Sequence, residues 1–420
     1  MLRNILTFVL NFSIFILSKF IIRNPNVWVF GAWYGKNYSD NPKYLFEYVN
    51  KYCKDITAVW ITNNKETYNI VKNKGYNVAL TYSLKAYWYT LIAKYAFISV
   101  GHIDINYYAG LGIRMINLWH GMPLKKIFND DQITALNQMK NHPIYAKLRQ
   151  LVLYKYYSTI ATSETIAKIY ESAFNGLTER VDIIGQPRCD VFYLPPAETS
   201  FTEKLRKIKE KNKLAIYMPT HRQEGKIDFS KFLIDELDTL NNKMKEYNVV
   251  LLVKLHFYHQ KDLDNLNNEF SNIIFVKGSD IEQDIYSILS MTDFLITDYS
   301  SIYFDYLHSN KPIIFFAFDK EDYLKNDRVF YFDYEEITPG EKAYSWNELY
   351  EKVAVIANGI DNYANERKKT HNIFNKYQDG KNCERVVKWI KSLDNKQTFD
   401  NCLTSEGVVD AINSLTEESK

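Results

Sequence analysis

Phe294-Leu-Ile-Thr-Asp-Tyr-Ser-Ser-Ile-Tyr-Phe-Asp-Tyr306 passes from a short apolar run, through a polar junction, into a pattern that can begin a helix. A short apolar run bounded by turn residues reads as a buried strand. Ser300 and Ser301 then sit where a strand ends and a helix starts. The first turn of a helix offers unpaired N–H groups and the positive end of the dipole, both favourable to phosphate. Two hydroxyls there add donors without adding charge. Ser and Asp are also ordinary capping residues, so the junction has to be read with its surroundings.

The same alternation runs outward in both directions. Leu214–Met218, Val249–Leu255, Ile273–Val276 and Pro312–Phe316 read as strands, with helices over Phe232–Lys245, Ile281–Leu289 and Ser301–Ser309. In the first half, Val27–Phe30, Ile56–Thr62, Val78–Leu80, Tyr95–Val100, Ile113–Trp119, Ser158–Ser163 and Val181–Gly185 read as strands. Helical spans at Tyr44–Tyr52, Lys65–Lys74 and Leu84–Ala93 separate the earlier ones. Short apolar strands divided by helices predict parallel sheets covered on both faces. Pro195-Pro-Ala-Glu-Thr-Ser200 is the expected linker between two αβα domains, residues 25–195 and 203–395. Glu348–Asn358 and Cys383–Ser392 read as closing helices. Residues 128–157, rich in Lys, Arg and Tyr, read as a helical insertion, and the polar 396–420 as a flexible tail.

With 420 residues the chain has room for two full cores. A formal charge of +2 provides no global field for nucleic acid. Cys53, Cys189, Cys383 and Cys402 are scattered, without a C-x-x-C pair, so neither a disulfide framework nor a zinc site is indicated. A reducing cytosol is the simplest compartment. Dinucleotide, P-loop and nucleophile-elbow motifs are absent. Asp262-Leu-Asp264 lies in a polar helical stretch and reads as a solvated face, so no metal or cofactor is expected. At the N-terminus, Ile5–Ile22 is mostly apolar and flanked by Arg3 and Arg23. That length is at the lower limit for a spanning helix. The reading is a membrane-associated hydrophobic helix over residues 1–24, lying in the interface or anchoring there, with a core helix as the alternative. The basic flanks place it at the cytoplasmic face.

In open α/β sheets ligands bind beyond the carboxyl ends of the strands. The expected strand ends are Trp119-His-Gly-Met-Pro-Leu-Lys125, Ala161-Thr-Ser-Glu164, Gly185-Gln-Pro-Arg-Cys-Asp190, Tyr217-Met-Pro-Thr-His-Arg222, Lys254-Leu-His256 and Asp298-Tyr-Ser-Ser301. Scattered caps would not concentrate phosphate-binding and proton-transferring groups in this way. Gly121 and Pro123 enforce a tight turn that aims His120, with Lys125 close by. His120 and His256 come from different domains and are expected to face each other. One would act as a base, and the other, with Arg222, would bind phosphate. An Arg fork such as Arg222 matches phosphate oxygens. Arg188 reads either as a site residue or as an interdomain ion pair.

Together these motifs, with Thr220, Lys311-Pro-Ile-Ile-Phe-Phe and Arg328-Val-Phe-Tyr-Phe-Asp-Tyr-Glu-Glu336, resemble the CDP-glycerol glycerophosphotransferase family of teichoic-acid and capsule enzymes. The resemblance covers about Val27 to about Ile390. It implies a GT-B-like architecture, two Rossmann-type domains facing across a cleft, acceptor side first and CDP-glycerol side second. It implies transfer of glycerol phosphate from CDP-glycerol to a hydroxyl, releasing CMP. The acceptor would be a lipid-linked saccharide or polymer at the cytoplasmic membrane surface. His120 would be the base and His256 the second functional histidine. Thr220, Arg222, Asp298, Ser300, Ser301 and Arg328 would line the donor site, supported by Gly121, Pro123, Lys125, Arg188 and Asp305. Phe257 stands where the family has Pro, and His221 where it often has an aromatic residue. A single catalytic unit favours a primase or short-polymer synthase. CDP-ribitol as donor, or a sugar nucleotide in a GT-B glycosyltransferase, are the alternatives.

Overall fold

The computed structural model describes residues 13–14, 16–106, 110, 112–131, 155–220, 229–255, 270–282, 284–320, 323 and 329–405. The front lobe carries strands β1 Asn24–Phe30, β2 Thr57–Thr62, β3 Val78–Leu80, β4 Ala93–Ile98, β5 Arg114–Asn117, β6 Ser158–Ala161 and β7 Val181–Ile183. Helices α1 Asp40–Tyr52, α2 Lys65–Asn73, α3 Leu84–Ile92 and α4 Glu164–Ala173 lie between them. The rear lobe carries β8 Lys213–Met218, β9 Val249–Val253, β10 Ile273–Phe275, β11 Phe294–Thr297, β12 Ile313–Phe316 and β13 Glu341–Ala343. Its helices are α5 Ser200–Lys209, α6 Phe229–Ile234, α7 Leu237–Glu246, α8 Tyr286–Leu289, α9 Ile302–Tyr306, α10 Tyr334–Ile337, α11 Trp346–Ala357 and α12 Ala364–Phe374. The helix α13, Asn382–Ser405, follows.

Both sheets are parallel and doubly wound. The front sheet runs β3-β2-β1-β4-β5-β6-β7 and the rear sheet β10-β9-β8-β11-β12-β13. Each order reverses next to its first strand, at β1/β4 and at β8/β11. Such switch points are where open α/β sheets bind ligands. The strands read almost continuously apolar because both faces are covered, as Val29, Phe30, Val59, Trp60, Leu252 and Ile314 show by their burial.

Several helices differ from expectation. The single helix expected over Phe232–Lys245 is two, α6 and α7. The span Ile281–Leu289 is only helical at its end, in α8, after a 3-10 turn at Gly278–Ile281. The helix after the Ser pair is five residues long and passes into a 3-10 turn at Leu307–Ser309. The closing helix α13 does not belong to the rear core. Its Cys383, Val386, Val387 and Ile390 pack with Trp28, Phe46 and Trp60 of the front lobe. It also continues to Ser405, into the stretch read as a tail; 406–420 lie outside the described residues. Most of the insertion expected over 128–157 lies outside them too. Of the N-terminal hydrophobic helix, residues 13–14 and 16–18 are helical and 1–12 are not among the described residues. No helix among the described residues is long and apolar enough to cross a membrane.

Candidate active site

The front-lobe half of the site starts at the end of β5. Trp119 adopts a left-handed backbone (φ 54°), and its N–H donates to the Asn117 side chain at 3.1 Å. The Asn41 amide donates to the Leu118 and Trp119 carbonyls at 3.2 and 2.9 Å. This turn delivers His120, half-buried between the rings of Trp33 (5.1 Å between centroids) and Trp119 (4.0 Å). His120 Nδ1 lies 2.9 Å from the Ser99 carbonyl oxygen. A carbonyl oxygen only accepts, so Nδ1 carries the proton and Nε2 keeps its lone pair. Burial pushes the imidazole below its ordinary value and the Arg188 charge adds to this; Asp40 and the Ser99 carbonyl oppose it. The result is a neutral, oriented imidazole.

The rear-lobe half lies at the β8/β11 switch point. The buried Asp298 carboxylate accepts from the Thr220 N–H (2.9 Å), the Thr220 hydroxyl (2.6 Å) and the Tyr299 N–H (2.6 Å). Thr220 and Asp298, both expected to line the donor site, are therefore bonded to each other, and the pair fixes the ends of two neighbouring strands. Ser300 and Ser301 follow, half-buried; the Ser300 hydroxyl accepts weakly from the Ile302 N–H at 3.4 Å.

The two halves meet. A Cβ added to Gly121 would stand 2.9 Å from the Ser301 hydroxyl and 4.0 Å from the Arg188 guanidinium. With glycine there, the His120 turn packs against the serine turn with the Ser301 hydroxyl facing it. Arg188, 2% exposed, donates to Asp40 (2.7 Å) in the front lobe and to Asp305 (2.7 Å) in the rear lobe. It also donates to the His120 carbonyl at 2.6 Å. Tyr286 completes the cluster, its hydroxyl donating to Asp305 at 2.5 Å. Arg188 is thus the interdomain ion pair, and at the same time a support for the His120 backbone. Lys43 and Asp284 form a second buried bridge between the lobes at 3.1 Å.

Pro123 is buried in the turn, and Lys125 continues it as one residue of an antiparallel bridge with Phe330. The Lys126 N–H donates to the Val329 carbonyl (2.8 Å) and the Tyr331 N–H to the Leu124 carbonyl (3.0 Å). The Lys125 ammonium reaches the Tyr323 hydroxyl. Arg222, His256 and Arg328 lie outside the described residues. Their described neighbours Thr220, Leu255 and Val329 stand at the end of β8, beyond β9 and beside Lys126.

Sequence reasoning overlooked Asp40, Asn41, Ser99, Asp104 and Tyr286. Ser39-Asp-Asn reads as an ordinary helix cap. The departure is conformational: Asp40 has φ 68°, which composition does not announce. Ser99 acts through its carbonyl and hydroxyl at a strand end that has no motif.

The pattern of the CDP-glycerol:poly(glycerophosphate) glycerophosphotransferases matches residues 13–392. The teichoic acid poly(glycerol phosphate) polymerase of Bacillus spizizenii is 30% identical over 348 residues, 78% of this chain and 82% of its own length. The teichoic acid glycerol-phosphate transferase of Staphylococcus aureus is 25% identical over 93% of this chain and 100% of its own length. A teichoic acid poly(ribitol-phosphate) polymerase of Bacillus spizizenii is 30% identical over 68% of this chain and 44% of its own length. The poly(glycerol phosphate) polymerase of Staphylococcus epidermidis is matched over only 43% of its length. Among solved structures, the wall teichoic acid polymerase TagF superposes with a TM-score of 0.73 at 25% identity, covering 94% of this chain and 97% of that one. The chain belongs to the CDP-glycerol:poly(glycerophosphate) glycerophosphotransferase family.

Proposed function

We propose that the protein transfers glycerol phosphate from CDP-glycerol to a hydroxyl of a teichoic-acid-type acceptor, releasing CMP. The observation that carries this reading is the packing of the His120 turn on the serine turn through Gly121. It brings an oriented base from one lobe against a hydroxyl-lined strand end of the other.

In this mechanism the acceptor oxygen attacks the glycerol-bearing phosphorus while its proton passes to His120 Nε2. The bond from that phosphorus to the bridging oxygen breaks and CMP leaves with the electron pair. Negative charge on the phosphates is met by Arg222, Arg328, His256 and the donors around Ser300 and Ser301. Thr220 and Asp298 hold that rim in shape, and Arg188 and Asp305 hold the lobes in register. CMP release from CDP-glycerol, set against UDP release from UDP-sugars, tests the donor; UDP release from a UDP-sugar with no CMP released from CDP-glycerol would overturn the reading. A ribitol donor is the second reading, supported by the poly(ribitol-phosphate) polymerase among the relatives. CDP-ribitol belongs in the same assay.

The acceptor reading is a lipid-linked saccharide or polymer, extended by primase-type or short-polymer synthesis at the cytoplasmic membrane face. Exposed Ile16, Leu17, Phe20 and Ile22 support a peripheral or N-terminally anchored membrane contact. Arg23 ties this segment to α3 by donating to the Thr90 and Ala93 carbonyls, both at 2.8 Å. On α3, Leu84 and Trp88 are themselves exposed, at 89% and 61%.

A further inference from the structure

The rear-lobe switch point is taken up by the donor reading. The equivalent position of the front lobe, beyond β1 and β4, has no role in it. We infer that the Trp33–Tyr34 turn at this position is the subsite for the polyhydroxylated end unit of the acceptor, a sugar or polyol stacked on the Tyr34 ring beside His120. The inference rests on the reading of His120 as the base.

A hydroxyl that gives its proton to His120 must lie within hydrogen-bond reach of Nε2. Gly121 is closed off by Ser301 on the rear-lobe side. Trp33 flanks the imidazole on its own lobe, and the next residue, Tyr34, is 46% exposed. Aromatic faces of this kind offer a large apolar platform with a polar tip.

Trp33 and Tyr34 are consecutive left-handed residues, with φ 49° and 62°. Bulky residues adopt this conformation only where their surroundings over-determine it, and such sites cluster where ligands are held. The Trp33 N–H donates to the Ser99 hydroxyl (3.1 Å), and its indole N–H to Asp40 (3.1 Å). The Tyr34 N–H donates to the fully buried Asp104 carboxylate at 2.7 Å. The Asn63 amide donates to the Tyr34 carbonyl at 2.7 Å. The other Asp104 oxygen accepts from the Ser99 and Val100 N–H groups, both at 2.8 Å. Gly31 lets this segment close on β1, since a Cβ there would stand 2.1 Å from the Asp104 carbonyl. Asp104 therefore sets both the aromatic turn and the Ser99 peptide that orients His120. It is a positioning residue for base and platform together.

The test uses the full chain, CDP-glycerol and an octyl disaccharide carrying one glycerol phosphate. Tyr34→Ala should raise the acceptor KM about tenfold, with kcat within about twofold and the CDP-glycerol KM unchanged. Tyr34→Asn removes the ring but tolerates the left-handed backbone, so it separates lost stacking from lost folding. An unchanged acceptor KM in Tyr34→Asn, or an equal rise in both KM values, overturns the subsite. His120→Gln is run alongside: if it transfers at the parent rate, the base reading fails, whatever Tyr34 does.

Discussion

His120 is useful because of one hydrogen bond. With Nδ1–H committed to the Ser99 carbonyl, only Nε2 is left to take a proton. Its charged form is disfavoured by burial first and by Arg188 second. A histidine lowered in this way stays neutral through the ordinary titration range, so the acid limb of kcat/KM should fall below pH ~6.5. A limb at or above that value would show that a different group, or a protonated His120, limits the reaction. His120→Gln should cost about 10²–10⁴ in kcat with the thermal midpoint little changed. Gly121→Ala makes a sharper test of the meeting of the lobes. Its Cβ would stand 2.9 Å from the Ser301 hydroxyl, so that hydroxyl must turn away from its place beside the His120 turn. Misplacement of this size should cost on the order of 10²-fold in kcat, read by CMP release. These residues were unequally visible in the sequence. His120 and the serine pair stood at strand ends with turn residues around them. Asp40 and Asp104 work through backbone conformation and burial, which a sequence of ordinary polar residues does not display.

Elements explain why the lobes stay in register. The α1 start, the 3-10 turn Pro187–Tyr193 and α9 converge on Arg188 through Asp40 and Asp305. Removing one partner from a buried ion network leaves uncompensated charge. Arg188→Ala should therefore lose about 3–5 kcal/mol in denaturant titrations. Arg188→Lys should recover little, since an ammonium cannot span both carboxylates and the His120 carbonyl. A loss below about 1 kcal/mol for Arg188→Ala would show the network to be dispensable. Strands of both sheets were legible because burial on two faces writes them as unbroken apolar runs. Edge strand β13, Glu-Lys-Ala, was not, because its order comes from pairing with β12 rather than from its own residues. Helix α12 was missed for a related reason: what it buries includes Arg367, Thr370 and His371, so no apolar stripe marks it. Residues Asp235 and Glu236 divide α6 from α7, although the apolar spacing runs on through them.

At the scale of the whole molecule, the described residues cross between lobes at the linker and again before α13, and the second crossing was misread. The expected rear domain ended at 395, yet α13 returns to the front core. Asp190 makes the return possible: its carboxylate accepts from the Asn382 and Cys383 N–H groups, both at 2.9 Å. Apolar spacing had identified the helix but could not say which sheet it covers. Another bond between the lobes is sensitive to acid. His308 Nε2 faces the Asn375 side-chain oxygen (3.1 Å), and Nδ1 faces the Tyr193 hydroxyl (2.9 Å). If Nε2 donates to that oxygen, Nδ1 must accept from Tyr193, which holds only for the neutral ring. Burial, then the neighbouring His371, lower His308 to about 3; burial lowers His371 to about 4. Unfolded histidines bind protons below about pH 6.5, so between there and the folded values the unfolded chain holds more protons. Stability is therefore complete above that range and falls as pH drops through it. Thermal midpoints measured from pH 7.5 down to 4.5 should decline, and His308→Gln should flatten the decline, because an amide can donate to Asn375 without titrating. A variant whose midpoint falls as steeply as the parent's would move the acid sensitivity away from this junction between Tyr193 and α12.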